Sequence, residues 1–164
     1  MADPLEVQLN QLLAERGRPT LATAESCTGG SVAARIASIS GSSAYYLGSV
    51  VSYSNDVKHN VLGVSWPVLE ERGAVSAECA RAMAMGARTV IGSDIAVSTT
   101  GIAGPLGGTR RKPVGLVYIG IATPTWLEAF EFHFDGDRAQ VIEQSVQQAL
   151  TLLLQGSRRM VAED

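Results

Sequence analysis

The chain has 164 residues, 46% hydrophobic and 18% charged, which is enough for one well-covered core and too little for two ordinary domains. Thirteen basic side chains against sixteen acidic ones leave a net charge of −3, so no broad field attracts nucleic acid or an anionic membrane. Apolar runs are broken by Gly, Ser or Thr well short of the ~18 residues that a spanning helix needs. The polar, periodic opening from Met1 to Gly17 is unlike a secretory signal, and a soluble, cytoplasmic protein is expected. Cys27 and Cys79 form no Cys-x-x-Cys pair and are expected as reduced thiols.

Leu5, Leu9, Leu12 and Leu13 fall at helical spacing between Pro4 and Gly17, which predicts an amphipathic helix with proline at its start and glycine past its end. Thr20 to Ala24 reads as a short strand. It enters the turn Glu25-Ser26-Cys27-Thr28-Gly29-Gly30 and then an Ala-rich helix to about Ser38. After the loop Ser40 to Ser43, the stretch from Tyr45 to Tyr53 reads as a strand. Asn55 is placed to cap a short helix stopped by Gly63, and a second short helix is expected after Pro67. Ser76 precedes Ala80, Met83, Ala84, Ala87 and Ile91, a small-residue face suited to packing on a sheet.

Ile95 to Thr100 is expected as a buried strand, followed by an irregular glycine-rich stretch to Thr109. Val114 to Ala122 and Leu127 to Phe134 flank a tight turn and predict an antiparallel pair. Asp137 with Gln140 resembles a capping box opening the last helix, whose apolar stripe is Ile142, Val146, Ala149, Leu150 and Leu153. The charged tail after Gly156 is expected to fray. Alternating helices and strands followed by adjacent strands predict a mixed sheet with helices on both faces, in a single domain with its core at about 5–155.

Ser26 lies in a strand-to-helix turn, where the amides of Thr28, Gly29 and Gly30 and the helix dipole could stabilise an oxyanion. The alternative is that Ser26 or Thr28 only caps the helix, and Cys27 competes as nucleophile. His59 and His133 have no catalytic context, so Lys58 is the favoured base, with Tyr53 near enough in sequence to orient it or relay a proton. Tyrosine at a strand end and lysine in a polar turn are equally ordinary surface residues. Gly104 to Gly108 with Arg110, Arg111 and Lys112 has the ingredients of an anion site, without a Walker A or dinucleotide fingerprint. Arg138 is a further phosphate or carboxylate contact. Histidines, cysteines and carboxylates do not recur at metal-ligand spacing, and aromatic residues total only 5%, which counts against nucleic-acid recognition.

Ala24 to Gly30, Val51 to Lys58, Gly73-Ala74-Val75-Ser76, Thr100 to Pro105, Lys112-Pro113-Val114-Gly115 and Gly136-Asp137-Arg138 together resemble the CinA C-terminal domain family. The motifs fall in family order over nearly the whole chain. The resemblance implies a three-layer α/β/α sandwich and hydrolysis of nicotinamide mononucleotide to nicotinate mononucleotide and ammonia, in pyridine-nucleotide recycling, with no metal or organic cofactor. It implies Ser26 as nucleophile, Lys58 as its activator and Tyr53 in the same proton network. Thr100 and the adjoining glycine loop with Gly101 and Gly104, and the turn Thr28-Gly29-Gly30, become substrate or oxyanion contacts, with Lys112 as a substrate-binding cation and Arg138 as a substrate-binding or site-organising residue. Ser49 and Leu106 depart from the family pattern, which has glycine at the first position and a small or polar residue at the second. A homodimer or higher homo-oligomer is expected, acting alone or recruiting the amino-terminal domain that accompanies this module in full-length CinA proteins. The alternatives are an amidohydrolase for another small carboxamide and a non-catalytic nucleotide-binding or regulatory module linked to competence or DNA damage.

Overall fold

A computed structural model describes residues 1–164. Helix α1 (Leu5–Leu13) begins after Pro4 and buries Leu9 and Leu13, each with no exposed surface; full burial of such a side chain stabilises by about 1.5–3 kcal/mol. Strand β1 (Leu21–Glu25) leads through the turn at Ser26 into α2 (Ser31–Ala37). Strand β2 (Tyr46–Val51) is shorter than the run from Tyr45 to Tyr53, because Tyr45 closes the preceding 3-10 turn and its carbonyl accepts from Leu21 N–H at 2.8 Å. The cap of α3 (Asn55–Asn60) is Ser54, whose hydroxyl accepts from Val57 N–H at 3.2 Å, and Asn55 is the first helical residue.

A wide helical turn at Val68–Arg72 takes the place expected for a short helix after Pro67. Helix α4 (Ala77–Ala87) is capped by the Ser76 hydroxyl and runs into a second wide turn, Arg88–Gly92. Strands β3 (Ile95–Gly101), β4 (Leu116–Ala122) and β5 (Leu127–His133) complete one five-stranded sheet in the order β2-β1-β3-β4-β5. β1 pairs parallel with both β2 and β3, and the expected late pair is antiparallel, with β4 also antiparallel to β3.

Helix α5 (Arg138–Glu163) carries the complete capping box: Asp137 accepts from Gln140 N–H at 2.9 Å and Gln140 accepts from Asp137 N–H at 2.8 Å. The expected fraying after Gly156 does not occur. Gly156 and Ser157 are buried and helical, because this turn of α5 packs against Ile95 and Thr123. Ile142, expected in the buried stripe, is only half-buried, while Val141 beside it is fully buried.

Side-chain alternation divides the core. Leu21, Ile95 and Val97 join α1, α2 and α5 on one face, and Ala22, Ala24 and Ala96 join Leu62, Cys79, Met83 and Ala87 on the other. The chain therefore leaves β1 through α2 on one face and returns to β3 through α4 on the opposite face. β1 sits where the direction of winding reverses, and a crevice opens outside the carboxyl ends of the strands at such a point. No helix is long and apolar enough to cross a membrane.

Candidate active site

The crevice is a cleft of about 270 Å³ whose walls come from the ends of all three parallel strands. Ser26 and Cys27 follow β1; Tyr53, Asn55 and Lys58 follow β2; Thr100 to Gly104, Leu106 and Gly107 follow β3; Ala74, Val75 and Arg138 close the sides. Ser26 is fixed through its backbone: its N–H donates to Thr99 O at 2.9 Å, and its carbonyl accepts from Gly29 N–H at 3.0 Å. Its hydroxyl makes no hydrogen bond within the protein and is free to meet a substrate.

Lys58 is 1% exposed although it lies on a short helix at the surface. Its ammonium donates to the Tyr53 carbonyl at 3.3 Å and has no carboxylate partner. Burial of a charge without a counter-charge favours the neutral amine, and it holds Lys58 below its ordinary 10.5. The Tyr53 phenol points elsewhere. It accepts from Arg138 Nη2 at 3.1 Å, while Arg138 Nη1 donates to Gly104 O at 2.8 Å. Tyr53 thus touches Lys58 through its backbone and Arg138 through its side chain. Gly104 adopts φ +85°, a left-handed conformation that suits glycine, and this turns its carbonyl toward the start of α5.

Other expected contacts lie differently. Thr100 lines the cleft, but its hydroxyl donates to Ala74 O at 2.8 Å, securing the cleft wall to β3. Thr28 is buried behind the cleft, bonded to Glu25 and to Thr99. Gly29 and Gly30 do not line the cleft, and α2 begins only at Ser31. The first-turn amides of Val32 and Ala33 are occupied by the Glu25 carboxylate, so they are not open to an oxyanion. The amides of Cys27 and Thr28 donate to no backbone carbonyl; that of Cys27 meets only its own thiol, and Thr28 does not line the cleft. Lys112 extends its ammonium to Arg72 O at 2.6 Å and does not line the cleft.

Cys27 lines the cleft, but burial pushes its thiol up to about 12, so it stays protonated near neutral pH and is a poor nucleophile. Cys27 and Cys79 are both free and buried. His59 stacks on Trp66 and meets Val64 O through Nδ1 at 2.7 Å, and exposed His133 lies beside Glu131; neither reaches the cleft. No three His, Cys, Asp or Glu side chains gather at metal-binding distance.

Residues 2–156 match the CinA C-terminal domain. The chain belongs to the CinA C-terminal domain family. A CinA-like protein of Geobacter metallireducens is 50% identical over 139 residues, which are 85% of this chain and 33% of that protein. A CinA-like protein of Desulfotalea psychrophila is 46% identical over 164 residues, 99% of this chain and 38% of that protein. The chain spans about a third of the length of the curated relatives it matches. Among solved structures, the competence/damage inducible protein CihA from Agrobacterium tumefaciens superposes with a TM-score of 0.88 at 36% identity, covering 94% of this chain and 98% of that one. The competence damage-inducible protein A (ComA) from Klebsiella pneumoniae gives 0.87 at 36% identity, covering 92% and 93%.

The CinA domain is thus a mixed five-stranded sheet with helices on both faces. Ser26, Tyr53, Lys58, Thr100, Gly101, Gly104 and Arg138 share its cleft, while Thr28, Gly29, Gly30 and Lys112 stand outside it. Asn55 and Val75 line the cleft without having been singled out as contacts, while Leu106 belongs to the glycine loop expected to supply them. Asn55 carries a signal in its position, directly after Tyr53-Ser54 at the start of α3. Val75 has none, since only the packing of the segment before α4 brings it there.

Proposed function

We propose that this CinA domain hydrolyses the carboxamide of nicotinamide mononucleotide, giving nicotinate mononucleotide and ammonia in pyridine-nucleotide recycling. The observation that carries the reading is the convergence of an unengaged serine hydroxyl and a buried lysine without a counter-ion on one cleft. Such a lysine can act as a base where an exposed one would stay protonated.

In this reading the Ser26 hydroxyl oxygen attacks the carboxamide carbon as its proton passes to the neutral Lys58 amine. Negative charge gathers on the carbonyl oxygen, and the amide of Cys27, which lines the cleft and donates to no other residue, is available to it. Collapse breaks the C–N bond, Lys58 returns the proton to the departing nitrogen, and ammonia leaves an acyl ester on Ser26. Water then attacks the ester, giving its proton to Lys58, which hands it back to the Ser26 oxygen as nicotinate departs. Lys58 is unchanged over the cycle, and no metal or organic cofactor enters it. Arg138 keeps N–H donors beyond the two bonded to Tyr53 and Gly104 and can meet the nucleotide's phosphate.

The test is to incubate the purified chain with nicotinamide mononucleotide and measure ammonia and nicotinate mononucleotide together, beside Ser26→Ala prepared identically. Equal amounts of both products, absent from the variant, are expected. The relatives' names refer to competence and damage; binding of the nucleotide without ammonia release would move the reading to a regulatory module, and release from a different amide would change the substrate.

A further inference from the structure

Glu25 is the last residue of β1, directly before Ser26, and it has no exposed surface. Strand alternation sends its side chain to the α2 face of the sheet, where apolar Leu21 also points. There Oε1 accepts from Val32 N–H at 2.8 Å and from the Thr28 hydroxyl at 2.7 Å, while Oε2 accepts from Ala33 N–H at 3.0 Å. The hydroxyls of Thr23 and Ser49 approach Oε2 at 3.3 and 3.5 Å. Thr28 in turn pairs with the Thr99 hydroxyl at 2.7 Å, on the residue whose carbonyl holds Ser26 N–H.

Burying a carboxylate is costly unless its lone pairs are filled, and here both oxygens are filled from the segment that carries the nucleophile. Gly30 occupies the cap position of α2 and has no side chain to satisfy the first turn. Glu25 does so from the strand, before the turn instead of at its end. Its side chain thereby closes a ring: Glu25 backbone, Ser26, the turn to Gly30, the first turn of α2, and back to the carboxylate. Ser26 cannot move relative to α2 without breaking these charge-assisted bonds.

We infer that Glu25 is the positioning residue for Ser26, its carboxylate locking the nucleophile's turn onto the start of α2 and onto β3 through Thr28 and Thr99. The inference rests on Ser26 being the nucleophile. A carboxylate serving the fold alone would, on removal, lower stability and leave Ser26 as reactive as before. A positioning carboxylate governs the reactivity itself, since displacing a reacting atom by about 1 Å costs on the order of 100-fold in rate.

The experiment measures labelling of the full chain by a fluorophosphonate, whose phosphorus bonds to Ser26 Oγ as the P–F bond breaks, fluoride leaves and the hydroxyl proton passes to Lys58. Glu25→Gln keeps the shape but turns an amide N–H₂ toward backbone donors, and its labelling rate is expected to fall about 100-fold. Thr28→Val removes only the hydroxyl link and is expected to lose about tenfold, which keeps the test decisive if Glu25→Gln fails to fold. Asp94→Asn loosens the opposite end of the sheet, where Asp94 holds Thr20 and Arg18; it is expected to lower Tm and leave the labelling rate within about twofold. Wild-type labelling in folded Glu25→Gln, or in Thr28→Val where Glu25→Gln does not fold, overturns the positioning role alone. No labelling of the wild type overturns the nucleophile reading and takes this inference with it.

Discussion

Arg138 donates to the phenol of Tyr53 at 3.1 Å, so a residue at the start of α5 holds one that follows β2. The same guanidinium holds Gly104 O at 2.8 Å. One planar group therefore sets the distance between two walls of the cleft, and the ammonium of lysine has no comparable fork.

Arg138→Ala is accordingly expected to lower kcat/KM by about 10- to 100-fold, the equivalent of one charge-assisted hydrogen bond. Arg138→Lys is expected to recover less than a tenth of the wild-type value. Steady-state ammonia release from nicotinamide mononucleotide measures both, and full rescue by lysine would show that only the charge matters.

Lys58 makes stability depend on pH with a definite sign. Burial lowers its folded value below the ordinary 10.5, so between the two values the unfolded chain binds more protons than the folded one. Stability therefore rises with pH across that window, and below it the protonated, buried ammonium exacts its full cost. Lys58→Met is expected to raise Tm at pH 7, with an advantage that shrinks as pH approaches 10.5, and to abolish turnover. Calorimetry at a series of pH values checks this, and a lower Tm at pH 7 would contradict it.

Two helical glycines are expected to respond oppositely to alanine. At Gly156 an added Cβ would sit 3.5 Å from Ile95, in ordinary contact, and the gain in helix propensity should stabilise by about 0.5–1 kcal/mol. At Gly86 the Cβ would press into the Leu62 carbonyl, with an overpacking cost of about 1–3 kcal/mol. Urea denaturation of Gly156→Ala and Gly86→Ala measures both, and a destabilised Gly156→Ala would contradict the packing seen at Ile95.

Parts of the cleft were legible before any coordinates. The turn after β1 was readable from Glu25 to Gly30, and Ser26, Tyr53, Lys58 and Arg138 were found through motifs shared with a family. What those side chains hold was not legible. Tyr53 was expected to serve Lys58, yet its phenol goes to Arg138. The oxyanion donors were expected to include Gly29 and Gly30, yet Gly29 N–H closes on Ser26 O. Glu25 was read only as part of the turn, because nothing local reveals that its carboxylate curls forward to Val32 and Ala33.

Sequence alone determined the order of the strands and principal helices, the antiparallel pair after the glycine loop and the capping box at Asp137, since side-chain period and capping chemistry act over a few neighbouring residues. Tertiary structure decided the strand order, the burial of Lys58, the helical continuation past Gly156 and the closing of the cleft by Arg138. Each of these depends on segments far apart in the chain, as Thr28 with Thr99 and Tyr53 with Arg138 are, and such pairs form only once the sheet has fixed which strand ends lie side by side.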